Sequence, residues 1–274
     1  MVKQDKKVSG VARRKTANIT RKRSGLHMFG TILLMCAWVL FSTVICQLLV
    51  GWIMMAFGGS EILSNPVWMS IYSALVYVLA ALLIIVVPPI AIEKWKKQQS
   101  AQKLDIRREL GLIGLPTWTD IGLAPIALIV ALILAALLVA AFGMIFPWFN
   151  TEEAQNIGFS LYLTGWERIL AFFTLVIVAP IMEELIFRGW LYNKIREKTS
   201  LKFPQFLSII ISIFITSLLF GIVHFQWNVG VNVFALSIIL CILREITGTT
   251  YAGILTHILK NGFAFYLLYI LGVR

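Results

Sequence analysis

Seven stretches of this chain are too long and too apolar to lie against water: 28–57, 66–92, 121–146, 168–187, 204–224, 231–246 and 249–272. Most reach the roughly 20 residues that an α-helix needs to cross a hydrocarbon core of about 30 Å. None alternates apolar and polar residues as a barrel strand does. In lipid only helices and closed barrels satisfy every backbone group, so each run predicts a membrane helix. Composition agrees: 59% of the 274 residues are hydrophobic and 14% charged, against about 45–50% and about 25% in a soluble domain. Mean hydropathy is +0.86. A water-soluble domain is excluded, and the expected fold is an all-α polytopic transmembrane bundle of about seven (six to eight) membrane helices.

The charge is lopsided, with 24 Lys and Arg against 13 Asp and Glu, or +11. In a soluble protein that excess would suggest nucleic acid, so position has to decide. Nine basic residues lie in 1–25, six in 93–109 and five between Arg188 and Lys202. The breaks 58–65 and 147–165 contain Glu61, Glu152 and Glu153 but no Lys or Arg. This is the positive-inside pattern. It predicts a multi-pass protein of the cell membrane with a cytoplasmic N-terminus, seven crossings putting the C-terminus outside, the bilayer as a partner and no nucleic acid. The first apolar run exceeds a signal-peptide core and ends in no small-x-small cleavage site, so it reads as an uncleaved helix. The expected organisation is a basic, disordered cytoplasmic tail over 1–25, N-terminal transmembrane helices 1–3 over 26–160, and a transmembrane core over 161–274. Cys36, Cys46 and Cys241 offer no CxxC and read as small core hydrophobes.

With no soluble domain, chemistry has to come from polar residues inside the helices. An ionisable side chain at mid-membrane costs roughly 2.5–3.5 kcal/mol and demands a partner, a wet cavity or a function. The fourth run carries Ala179-Pro180-Ile181-Met182-Glu183-Glu184-Leu185-Ile186-Phe187-Arg188-Gly189. Glu184 and Arg188 are four apart and share a helix face, whereas Glu183 is turned about 100° away. Glu184 and Arg188 therefore read as a structural pair and Glu183 as the free carboxylate, with Pro180 placed to kink the helix. The cluster would also fit the cytoplasmic end of the helix, with Lys194 and Arg196 close by, although Glu183 lies about 16 Å deeper than Lys194.

Of three histidines, two interrupt apolar runs: His224, after Phe220-Gly221-Ile222-Val223, and His257, four residues before Asn261. Either alone fits a hydrogen-bonded packing role as well as a catalytic one. His27 follows the basic tail and carries no signal. A straight fifth helix from Pro204 would carry His224 about 30 Å across, away from Glu183. The short run from Val231 suggests that the turn Phe225–Gly230 sits inside the membrane, returning His224 to the middle.

Glu183-Glu184-x-x-x-Arg188, Phe220-x-x-x-His224 and His257-x-x-x-Asn261 together resemble the CPBP family of intramembrane proteases, which includes the CAAX prenyl endopeptidases and bacterial Abi-type members. The resemblance covers roughly residues 165–270, and the three motifs match in order, spacing and setting. It implies an intramembrane endopeptidase in which Glu183 is the general base, His224 helps to hold the attacking water, and His257 and Asn261 stabilise the oxyanion, with Glu184 and Arg188 in support. The substrate it implies is a membrane-associated protein or peptide cut near the cytoplasmic side, in CAAX-type or peptide-pheromone and bacteriocin processing. A carboxylate set to activate water and donors aimed at an oxyanion form a coherent hydrolytic site. No cofactor is expected. The alternative is one zinc ion on Glu183, His224 and His257, although HExxH is absent.

Two other classes predict different outcomes. A non-catalytic membrane immunity or interaction protein of the same fold would tolerate loss of Glu183, His224 and His257. A transporter would use the same residues as a proton relay, but the repeat symmetry of transporters is missing. There is no GxGD pair, and Gly158-Phe159-Ser160 falls in a charge-poor outer loop. Lys260 either tunes His257 or snorkels.

Overall fold

The computed structural model of the chain describes residues 2–59, 62–95, 105–151 and 163–272. Glu61, Glu152, Glu153 and Gly158-Phe159-Ser160 lie outside the described residues. Among those described there is no strand. The helices are α1 (Val2–Gly58), α2 (Pro66–Trp95), the short α3 (Ile106–Glu109), α4 (Trp118–Ile145), α5 (Gly165–Ser200), α6 (Gln205–Ile222), α7 (Trp227–Thr247) and α8 (Tyr251–Tyr269). Six contain spans long and apolar enough to cross a membrane: Gly25–Gly58, Pro66–Pro88 and the whole of α4 to α7. The protein is a multi-pass membrane bundle. The remaining apolar helix, α8, is diluted by His257, Lys260 and Asn261.

One local expectation changes: α7 starts at Trp227 rather than Val231, so the turn between α6 and α7 shrinks to Val223–Gln226. The Gly230 N–H donates to the Gln226 carbonyl at 2.7 Å, closing the first helical turn. Phe225 takes φ +53° to complete the reversal. A Cβ on Gly221 would stand 2.8 Å from the Gly230 carbonyl oxygen. That close backbone approach draws α6 and α7 together directly beside His224.

Packing follows side-chain size. On α4 the buried face is Ala124, Ala127, Ala131 and Ala135, and α7 packs Leu236, Leu240 and Leu243 against this side. Small residues let membrane helices approach closely where no hydrophobic drive exists between them. The opposite face exposes Ile126, Ile129, Ile133 and Leu137, as lipid contact requires. Val76, Ala80 and Ile84 of α2 join Ile186, Phe187 and Leu191 of α5 and Phe220 of α6 in the main core.

Polar ties gather at one end. Lys194 pairs with Glu109, and the Arg196 Nε donates to Glu245 at 2.9 Å. The Tyr192 hydroxyl reaches the same carboxylate at 2.7 Å. Asp120, which caps α4 with Thr117, accepts from Thr249 at 3.1 Å. The Thr250 N–H donates to the Gly111 carbonyl. Gly111 has φ +71°, and a Cβ there would lie 2.7 Å from the Arg244 guanidinium carbon. These contacts lock the ends of α5, α7 and α8 onto the 105–120 segment.

Candidate functional site

The site is built around an irregularity in α5. Phe173–Val178 and Leu185–Tyr192 wind as π-helix on either side of Ala179–Glu184. Pro180 explains the first widening. The Ala179 N–H donates to the Thr174 carbonyl, five residues back. In that register the Leu175 carbonyl would need an N–H from Pro180, which has none. Asn261 supplies it instead, its Nδ2 donating to the Leu175 oxygen at 2.9 Å. The proline thus widens the helix rather than simply kinking it, and a side chain of α8 closes the gap. Such π turns are frequent where a helix must present functional groups.

Glu184 is fully buried and Arg188 is 1% exposed. The Arg188 Nη1 donates to Glu184 Oε1 at 2.8 Å, and His257 Nδ1 sits 2.9 Å from the same oxygen. A carboxylate oxygen accepts, so His257 donates through Nδ1 and its Nε2 is turned toward Glu183. Gly253, one turn before His257 on α8, makes room, since a Cβ there would lie 3.1 Å from Glu184 Oε2. The Arg188 guanidinium stacks 4.5 Å from the Phe220 ring centre. Phe220 in turn meets His224 and His257 nearly edge-on, at 5.1 and 6.0 Å between centres. One aromatic ring therefore wedges the cation and both imidazoles in place.

Glu183 differs from its neighbour. Its side chain keeps 14% exposure, with Oε2 3.6 Å from His257 Nε2. Lys260 and His224 lie within electrostatic range of Glu183. His224 Nδ1 is 2.8 Å from the Phe220 carbonyl oxygen. A carbonyl only accepts, so Nδ1 carries the proton and Nε2 stays uncommitted. Two imidazoles pinned through Nδ1, that of His257 3.6 Å from a partly exposed carboxylate, form an arrangement able to hold and deprotonate water.

Direct contacts join Glu183, Glu184, Arg188 and His257. His224 enters through Phe220 and the field of Glu183, and the Asn261 amide turns instead to the Leu175 carbonyl. Among the described residues no three His, Cys, Asp or Glu side chains converge as a metal-ligand set.

Lys260 lies within electrostatic range of Glu183, a neighbour that neither sequence reading of it, tuning His257 or snorkelling, had named.

Residues 165–263 match the family model for type II CAAX prenyl endopeptidase Rce1-like proteins. That segment is similar to the Rce1-like domain, a likeness consistent with the CPBP family, and the Rce1-like family is one of peptidases. The match contains Glu183, Glu184, Arg188, His224, His257 and Asn261. No curated protein and no solved structure matches the chain.

Proposed function

We propose that this protein is an intramembrane endopeptidase in which Glu183 is the general base. Glu183 accepts a proton from a water molecule, the water oxygen bonds to the carbonyl carbon of a peptide bond, and the proton passes to the departing amine as the C–N bond breaks. His224 and His257 hold the water and steady the oxyanion through their Nε2 edges, His257 donating when protonated. Arg188 and Glu184 fix the His257 ring. Asn261 maintains the wide turn that presents Glu183, and the reaction needs no metal. The substrate is a membrane-associated protein or peptide, processed in the CAAX manner or as a pheromone or bacteriocin precursor. The site opens toward the cytoplasmic side of the cell membrane, a placement supported by the basic segments at 1–25, 93–109 and 188–202.

The observation that carries this reading is the inequality of two adjacent carboxylates: Glu184 is fully buried and ion-paired, while Glu183 is partly exposed with its Oε2 3.6 Å from His257 Nε2. Purified protein in detergent or liposomes should cut a membrane-tethered reporter peptide. Glu183→Gln should lower the rate by about 10²–10⁴-fold or more, and a chelator should leave it unchanged. Full cleavage by Glu183→Gln would overturn the assignment. A cellular phenotype that survives Glu183→Ala, His224→Ala and His257→Ala at normal protein levels would favour a non-catalytic membrane protein of the same fold.

A further inference from the structure

We propose that the strap from Asp105 to Trp118, which carries α3 and leads into α4, is a docking surface for anionic lipid in the leaflet at the basic end of the bundle. Ile113, Leu115 and Trp118 enter the leaflet, and Arg107 and Arg108 hold its phosphates.

The strap pairs its backbone inward. Every carbonyl from Asp105 to Gly111 accepts a hydrogen bond. Those of Asp105, Ile106, Arg107 and Arg108 serve the N–H groups of Glu109, Leu110, Leu112 and Gly111 at 2.8–3.1 Å. Those of Glu109, Leu110 and Gly111 accept from Asn193 Nδ2, Thr250 Oγ1 and the Thr250 N–H. The Tyr251 hydroxyl donates to the Gly114 carbonyl at 2.9 Å. Leu110 also turns inward, where a Cβ on Gly189 would lie 3.0 Å from its Cδ2. Irregular backbone paired in this way can meet lipid without the penalty that an orphaned polar group carries there.

The outward side is apolar and basic. Leu115 and Trp118 are 83% and 86% exposed, and Ile113 is exposed near them. Trp118 opens α4, and Ile129, eleven residues on, returns to within about 20° of it around the helix. Ile129 belongs to the face that α4 exposes to lipid, so Trp118 heads that same row, at the interfacial level where Trp is enriched. Arg107 and Arg108 are exposed, and among the described residues neither is paired with a carboxylate. Asp105 is engaged in capping α3, accepting from the Arg108 N–H at 3.3 Å. Free guanidiniums suit lipid phosphate, and a negative leaflet attracts them. Three apolar side chains fall far short of the roughly 20–30 residues a side of a stable protein interface. Lipid, continuous with the face of α4, is therefore the occupant.

The test reconstitutes the full-length protein in phosphatidylcholine vesicles containing lipid brominated in its acyl chains. The Trp118 signal is the fluorescence difference between wild type and Trp118→Phe. Brominated lipid should quench it, and acrylamide in the water should reach it only weakly. Brominated phosphatidylglycerol should quench it at a lower mole fraction than brominated phosphatidylcholine. Arg107→Gln with Arg108→Gln should reduce that preference by about fivefold or more. Added salt should weaken it in the wild type too, a readout free of any folding effect of the double substitution. Trp166, exposed at the far end of α5, should be quenched by lipid with no dependence on Arg107 or Arg108. Quenching of Trp118 by acrylamide rather than lipid would overturn the proposal. So would a missing phosphatidylglycerol preference, or one that survives both salt and the double substitution. If Leu115→Asn with Trp118→Gln splits an oligomer of the full-length protein in detergent, the patch belongs to a second copy and the proposal fails. The readout involves no cleavage, so its failure is separate from that of the Glu183→Gln experiment.

Discussion

Lys194 and Arg196 near the basic end of α5 hold carboxylates much as Arg188 holds Glu184 two turns deeper, yet the two regions differ in kind. At the end, the partners Lys194 and Glu109 are 23% and 13% exposed, and Arg196 and Glu245 18% and 27%. Water shares those charges, and such pairs contribute roughly 0–1 kcal/mol. At the deeper cluster Arg188 and Glu184 are 1% and 0% exposed. There the cost of dehydrating both charges is already spent, so neither tolerates loss of the other. The outer ties orient helix ends; the inner pair fixes a ring of Arg188, Glu184, His257 and Phe220 on which Glu183 depends.

This contrast can be broken by substitution. Arg188→Ala should have the largest effect, costing about 3–5 kcal/mol by leaving the buried Glu184 carboxylate without its guanidinium partner. Unfolding in detergent measures it, and Glu184→Leu with Arg188→Met should restore most of the stability while abolishing cleavage, because His257 loses its anchor. Retained stability in Arg188→Ala would mean that the inner pair behaves like the outer ones.

Asn261→Ala comes next. It should cost about 1–3 kcal/mol, the penalty for orphaning the Leu175 carbonyl. In a Pro180→Ala background, which restores an N–H to α5, the same substitution should cost less. Equal costs in both backgrounds would sink the proline explanation of the π turn. Smallest is Arg196→Ala at the end, expected below about 1 kcal/mol and shrinking further with added salt.

Much of this was legible from the residues in order. The apolar runs announced the bundle because lipid admits no other backbone solution, and the four-residue spacing of Glu184 and Arg188 announced their ion pair because helix geometry is local. The true start of α7 was not legible: Trp227–Gly230 is polar enough to read as a turn, and only the backbone contact of Gly221 with Gly230 shows α6 and α7 closing above it.

By itself, the sequence determined that the chain is a membrane helix bundle, where its basic segments lie, and which few ionisable groups the bilayer must accommodate. These follow from hydropathy and from spacings of three and four residues, which act within one helix. Only the tertiary structure decided what those groups do to one another. Which carboxylate is buried, which nitrogen of His257 is committed and why Asn261 serves a carbonyl are settled by contacts between helices. Those contacts are set by side-chain size, backbone approach and a π turn, none of which has a period readable along the chain.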